Sequence, residues 1–406
     1  MAEINPIGID QTTGQQRAVE ATDSVVNNIG NQISLAAKWV GDYSGGVNNI
    51  QTVFPWDSPT RLPNPTTLPQ GLGRGGVDFS PNGEYMAVGF TSSPFINIYQ
   101  RVGSGFYKLP DPATLPTGGA NHEAMAWSPN GEFLAVGHST APTLTIYQRD
   151  GSTFTKIANP AVLPAGVNTD CIHFSSNGEF MAVGHTSSPF MTVYHIDGTT
   201  FTKLTDPTSL PANTVQGIRW SPNGKYLAAA VGNTAPYFIW YQKMGSGTAA
   251  TLTRLADPAT QPTNTGFSCD WNPNGKYVTF GSLGIPRLST YEVTGSTLTK
   301  LPDPASLPSS GAFENVRYSF DGNYLAGAET ASPFLYVYQV SNGGDTFTLL
   351  DSPASTPSGG RNIGWSPDGQ FLAIDGDTGP LLDIYQTGET MPSSGIVVTN
   401  GTELDS

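Results

Sequence analysis

Charge is scarce in this chain. Asp, Glu, Lys and Arg make up only 12% of its 406 residues, about half the share of an average globular domain. Basic side chains number 18 against 32 acidic ones, a formal net charge of -14 at pH 7. Contacts to a phosphate backbone need cations, so DNA and RNA are not expected partners. Cysteine is nearly absent too. Cys171 and Cys269 are too few for a disulfide framework or a zinc site, and each sits in an apolar run, so buried free thiols are expected. No stretch reaches the roughly 18 apolar residues of a membrane span, so no membrane insertion is expected. Met1 to Asp10 has neither the basic nor the apolar part of a secretory signal, so synthesis in the cytosol without that export route is expected. What the chain has in quantity is glycine (47), proline (33) and aromatics: 7 Trp, 16 Tyr and 19 Phe. The first two mark turns, and the aromatics supply apolar area for a sizeable core.

The turns are periodic. Ser80-Pro81-Asn82-Gly83 returns as Ser128-Pro129-Asn130-Gly131, Ser175-Ser176-Asn177-Gly178 and Ser221-Pro222-Asn223-Gly224. It then returns as Asn272-Pro273-Asn274-Gly275, Ser319-Phe320-Asp321-Gly322 and Ser366-Pro367-Asp368-Gly369. Successive glycines are 48, 47, 46, 51, 47 and 47 residues apart, a period that suits one propeller blade. Asn-Gly or Asp-Gly between two apolar runs is a hairpin signal, because the turn requires positive φ. Before the first turn comes Val77-Asp78-Phe79. After it comes Tyr85-Met86-Ala87-Val88, apolar on both faces, as expected of a strand sandwiched between neighbouring blades. A third strand is expected from Phe95 to Tyr99 and a fourth from Phe106 to Leu109. From Gly71 to Gln386 no helical periodicity stands out. The expected fold is all-β, a seven-bladed propeller.

A second marker predicts how the ring closes. Asp111-Pro112 follows the fourth strand, and its equivalents are Asn159-Pro160, Asp206-Pro207, Asp257-Pro258, Asp303-Pro304 and Ser352-Pro353. The first copy, Asn64-Pro65, precedes every hairpin turn. The last turn has a second strand (Phe371 to Ile374) and a third (Leu381 to Tyr385) but no fourth after it. The segment near Pro59 to Leu62 is therefore expected to supply the outer strand of the last blade, removing an exposed edge. The domain layout that follows is an N-terminal arm (1-45), a propeller (46-388, with 55-70 giving the closing strand) and a C-terminal tail (389-406).

Phe79-Ser80-Pro81-Asn82-Gly83-Glu84-Tyr85-Met86-Ala87-Val88-Gly89 resembles the bacterial WD-repeat-like propeller family, over about residues 55-388. The Trp-Asp pair that ends the third strand in true WD repeats is replaced by Tyr99-Gln100, Tyr147-Gln148, Tyr194-His195, Tyr241-Gln242, Tyr291-Glu292, Tyr338-Gln339 and Tyr385-Gln386. The resemblance thus implies the fold and not the hydrogen-bond tetrad or partners of that subfamily.

The arm differs in character. Val26, Ile29, Ile33, Ala36 and Val40 recur at spacings of 3 and 4. They read either as one amphipathic helix lying on its own propeller or as a short oligomeric stalk, a homotrimer. Asn5, Pro6, Ile7, Gly8, Ile9 and Asp10 open a stretch through Gln15 that resembles N-terminal segments of bacteriophage head and tail appendage proteins, where such an arm tethers a distal domain to the particle. The resemblance implies a virion anchor, with capsid, neck or tail proteins as partners. It fits a Ser/Thr/Asn/Gly-rich, lysine-poor propeller without an export signal, since a virion protein leaves the cell by lysis.

Chemistry is sparsely signalled. Asp78, Ala126, His173, Arg219, Asp270, Arg317 and Gly364 stand just before the inner-strand aromatics. Their mixed signs are read as a structural ring of inter-blade ion pairs rather than an acid-base site. His138 and His185 occupy equivalent places in adjacent blades, without a third ligand, so no metal is expected. There is no phosphate loop, Gly-x-Ser-x-Gly elbow or His-Glu-x-x-His motif, so neither a cofactor nor enzymatic activity is expected. The longer loops, with Asn121, His122 and Glu123 in one and Asn168, Thr169 and Asp170 in another, are the candidate contact surface. The expectation is a surface-exposed fibre or decoration subunit of a phage particle. The alternatives are an adhesion module for a host-surface glycan or protein and a cytosolic propeller, scaffold or lactonase-like enzyme.

Overall fold

The computed structural model describes residues 49-50, 56, 59-119, 122-308, 310-387 and 398-399. They form seven four-stranded antiparallel sheets and one two-stranded pair. Blade 1 runs outward from the axis through Val77–Phe79, Tyr85–Gly89, Ile96–Val102 and Gly105–Lys108. Blades 2 to 6 repeat this order from the inner strands Met125–Trp127, Thr169–Phe174, Val215–Trp220, Gly266–Trp271 and Phe313–Tyr318. Blade 7 contributes Ile363–Trp365, Phe371–Asp375 and Leu382–Gln386. The protein is an all-β, seven-bladed propeller.

Six of the hairpin turns are built the same way, and in blade 5 Asn272 replaces the serine, its Oδ1 accepting the Asn274 N–H at 3.0 Å. Ser80 Oγ accepts the Tyr85 N–H at 2.9 Å and donates to Asn82 Oδ1 at 2.6 Å. Gly83 takes φ +69, a conformation only glycine adopts without strain. The core is a ring of seven apolar clusters, each filling the space between neighbouring blades. That placement explains why the second strands, such as Tyr85–Gly89 and Tyr226–Val231, are buried on both faces.

The ring closes with the expected exchange. Thr60–Arg61 pairs antiparallel with Leu382–Gln386, matching Thr60 to Gln386 and Arg61 to Tyr385. The Leu62 N–H continues the ladder to the Ile384 carbonyl at 2.8 Å, and the Arg61 guanidinium pairs with the buried Asp383 carboxylate. Trp56 is buried beside this strand, its ring 5.5 Å from that of Trp365. The third strands start and end later than expected: blade 1 gives Ile96–Val102 after Phe95 takes φ 70, and blade 7 gives Leu382–Gln386 after Leu381 takes φ 60. A residue in the left-handed region cannot continue a strand.

The propeller unit spans 54-389. In the other unit, Asn49–Ile50 pairs antiparallel with Val398–Thr399. The arm anchor (Asn5 to Asp10) and the seam (Val26 to Val40) lie outside the described residues.

Candidate functional site

The axial register resolves into two bonding patterns. On blades 1, 3 and 5 the residue before the inner aromatic accepts a main-chain N–H from the next blade. Asp78 Oδ2 accepts from Trp127 N at 2.9 Å, His173 Nδ1 from Trp220 N at 3.0 Å, and Asp270 Oδ2 from Tyr318 N at 2.8 Å. Because a main-chain N–H can only donate, His173 Nδ1 carries no proton. Burial agrees, holding the imidazole well below its usual pKa and therefore neutral. On blades 4 and 6 the same register holds Arg219 and Arg317.

Those two arginines converge on Glu123 of blade 2. Glu123 Oε2 lies 3.1 Å from Arg219 Nη2 and 3.1 Å from Arg317 Nη2. Its Oε1 accepts from Asn315 Nδ2 at 2.8 Å and from Arg317 Nη1 at 3.2 Å. Arg219 Nε also lies 3.7 Å from Asp270 Oδ1. One carboxylate thus ties blades 2, 4 and 6 together across the axis. Burial pushes the Glu123 carboxyl up while Arg219 pulls it back down.

This corrects the expected contact loops. Glu123 is 2% exposed and is the hub of the axial network. Thr169 and Asp170 belong to the buried inner strand Thr169–Phe174 of blade 3. The inner strands of blades 3 to 6 reach farther toward this face than their apolar cores suggest, so residues read as loop become strand. His122 is half-buried, its ring stacked 6.5 Å from that of Phe267 on blade 5. Asn168 is half-buried and Asn121 lies outside the described residues. The expected inter-blade ion pairs are present at Glu123–Arg219, Glu123–Arg317 and Arg219–Asp270, whereas Asp78 and His173 take main-chain donors instead of an ion-pair partner. The one available signal was that Glu123 stands four residues before Trp127, the same offset as Glu314 before Tyr318 and Arg361 before Trp365.

Asp270 and Asp78 are pushed up to about 7 and about 6. Such values ordinarily flag an acid-base centre. Here the leading cause is desolvation, and each carboxylate is committed to holding the adjacent blade. His138 and His185 each hydrogen-bond a threonine of the next strand, Thr145 and Thr192, at 3.1 Å. Burial lowers both to about 4, so both are neutral. Among the described residues no group of three or more His, Cys, Asp or Glu could hold a metal ion. Cys171 and Cys269 are buried free thiols. A groove of about 470 Å³ lies at the perimeter, between the Asp257-Pro258 loop and the outer strand Thr297–Lys300, away from the axial groups.

The tyrosines standing where WD repeats carry tryptophan have a task the sequence did not disclose. Each is buried and donates its hydroxyl to a carbonyl in the loop after the preceding blade's outer strand. Tyr99 reaches Thr67, Tyr147 Thr114, Tyr194 Val162 and Tyr241 Ser209. Tyr291 reaches Thr260, Tyr338 Ser306 and Tyr385 Ser355. The second marker also acquires a role: its acid pairs with the base ending the outer strand, as in Lys108–Asp111, Lys203–Asp206, Arg254–Asp257 and Lys300–Asp303.

No known family's sequence pattern matches the chain, and no curated protein matches it in sequence. Solved structures do resemble it. Hydrazine synthase from Kuenenia stuttgartiensis superposes with a TM-score of 0.58 at 15% identity, covering 80% of this chain and 99% of that one. The Cps50 (Swd1) β-propeller domain of Myceliophteria thermophila gives 0.57 at 13% identity, covering 81% and 100%. A candidate 6-phosphogluconolactonase from Bacteroides uniformis gives 0.60 at 16%, covering 75% and 92%. At these identities the likeness establishes the propeller fold alone.

Proposed function

We propose that the protein is a non-enzymatic structural subunit on the surface of a bacteriophage particle, tethered by its N-terminal arm and presenting the propeller outward as an interaction module. The observation that carries the non-enzymatic part is the commitment of the axial polar groups. Asp78, His173 and Asp270 accept main-chain N–H groups, and Arg219 and Arg317 neutralise Glu123. The resemblance of Asn5 to Gln15 to phage appendage arms supports the particle. The seven tyrosine latches support a rigid display scaffold.

The contact surface is the face bearing the Asp-Pro loops and the loops before the third strands. In its favour, Leu72, Val162, Val167, Leu283 and Ile285 are exposed there, against Val102, Met244 and Phe320 at the turns of the opposite face. Exposed apolar tips suit a protein partner, which favours assembly with particle proteins over glycan adhesion.

Peptide mass spectrometry of purified particles tests the reading. Stoichiometric recovery of this chain with capsid or tail proteins is the expected result, and its confinement to the soluble cell fraction overturns the location. Separately, a lactone or ester hydrolysis that disappears in Asp270→Asn or His173→Ala overturns the non-enzymatic assignment.

A further inference from the structure

Six Asn-Gly pairs lie within the described residues, at Asn82, Asn130, Asn177, Asn223, Asn274 and Asn342. Glycine has no Cβ to hinder approach of its main-chain nitrogen to the preceding side-chain carbonyl, so all six are chemically predisposed to deamidate. All six asparagines are solvent-exposed, so access does not separate them. We infer that Asn342, in the outer hairpin of blade 6, is the propeller's site of spontaneous deamidation, and that the repeat turns protect the other five.

The protection is visible bond by bond. Asn82, Asn130, Asn177 and Asn223 each accept at Oδ1 from the Ser hydroxyl that opens the turn, at 2.6 to 2.7 Å. The same oxygens also accept the main-chain N–H two residues on. Asn274 accepts that second bond from Lys276 N at 2.8 Å. In all five turns the glycine nitrogen donates to the carbonyl three residues back at 2.8 Å. The electrophilic carbon and the attacking nitrogen are therefore both held, and two or more bonds must break before they can meet.

Asn342 has neither restraint. It takes φ 53 in a turn closed by Gly344 N donating to Ser341 O at 3.0 Å. Among the described residues nothing donates to its Oδ1 and nothing accepts the Gly343 N–H. Its side chain makes one exposed bond, from Nδ2 to Thr346 Oγ1 at 3.1 Å.

The chemistry needs only water. Gly343 N attacks Asn342 Cγ and passes its proton to solvent. The Cγ–Nδ2 bond breaks, ammonia leaves and a five-membered succinimide forms. Water then opens the ring at either carbonyl, giving aspartate or isoaspartate. The product adds a negative charge beside Asp345. The isoaspartate also lengthens the main chain next to Gly343 O, which accepts from Asn274 Nδ2 at 2.6 Å on blade 5.

The test is a time course of the full folded chain in mildly alkaline buffer, with each Asn-Gly peptide quantified by mass and by isoaspartate content. A peptide map also keeps Asn342 separate from Asn400, which lies outside the described residues. Loss of two hydrogen bonds implies conversion at Asn342 at least about tenfold faster than at the five repeat turns. In the chain unfolded by denaturant the difference collapses. Equal rates in the folded chain overturn the inference. So does a gap that persists unfolded, because local sequence and not the turns would then set it.

Discussion

The Tyr147 hydroxyl donates to the main-chain carbonyl of Thr114 over 2.8 Å, fastening the third strand of blade 2 to the loop that leaves blade 1. Tyr147→Phe removes that bond alone and is expected to cost about 1 kcal/mol. Tyr147→Ala also opens a cavity and is expected to cost about 3–5 kcal/mol. Urea unfolding measures both. A Phe variant as stable as the parent shows that the latch contributes nothing.

Glu123→Gln leaves the Arg219 and Arg317 guanidiniums facing a neutral amide across the axis. Breaking a buried ion pair on one side costs about 3–5 kcal/mol. Glu84→Gln, at a surface turn, is expected to stay within about 0.5 kcal/mol. Melting temperatures of the two variants should therefore separate clearly. Similar values for both contradict the hub.

Glu329 is fully buried. Burial pushes its carboxyl from 4.5 up to about 7, against a weaker pull from Ala331 and Arg287. The native state therefore keeps the proton to higher pH than the unfolded chain does. Its stabilising share is complete below pH 4.5 and is lost as pH rises toward about 7. Asp270 and Asp78, also raised, act in the same direction. Glu329→Gln removes one of these contributions. Between about pH 5 and about pH 7.5 its melting temperature should fall less than the parent's, and parallel falls count against the assignment.

Two truncations separate arm from ring. Removing residues 1-44 leaves Thr60–Arg61 paired, so the propeller should remain folded and monomeric but fail to join particles. Removing 1-70 takes away the Arg61–Asp383 pair, the buried Trp56 and the Leu62 and Leu68 contacts. At about 25 cal/mol per Å² of apolar area the loss reaches several kcal/mol, and Leu382–Gln386 becomes an open edge. Calorimetry and light scattering should show a lower melting point and aggregation for the longer deletion only. Equal melting of both overturns the role of the closing strand.

Much of the fold was legible because it is local or periodic. An Asn-Gly turn demands positive φ wherever it occurs, and seven copies at one period allow little besides seven blades. The Asn64-Pro65 marker, one strand ahead of the first turn, disclosed the closure without any knowledge of contacts. The task of Tyr147 was not legible, since a hydroxyl aimed at a loop carbonyl of another blade leaves no trace in spacing. The candidate contact residues were read less well. Thr169 and Asp170 look like loop because their inner strand begins in polar residues, and Glu123 because it stands two residues before its own strand, Met125–Trp127. Polarity here reflects bonds across the axis instead of exposure.

The sequence by itself therefore determined strand type, blade number and ring closure, all of which depend on residues close along the chain or on a fixed period. Only the tertiary structure decided that Glu123 meets Arg317, 194 positions away, and that Arg219 reaches the same carboxylate. The reason is geometric and dielectric. Inner strands from distant blades converge on one axis, and a charge buried there must find its partner among whatever the other blades bring, wherever that partner lies along the chain.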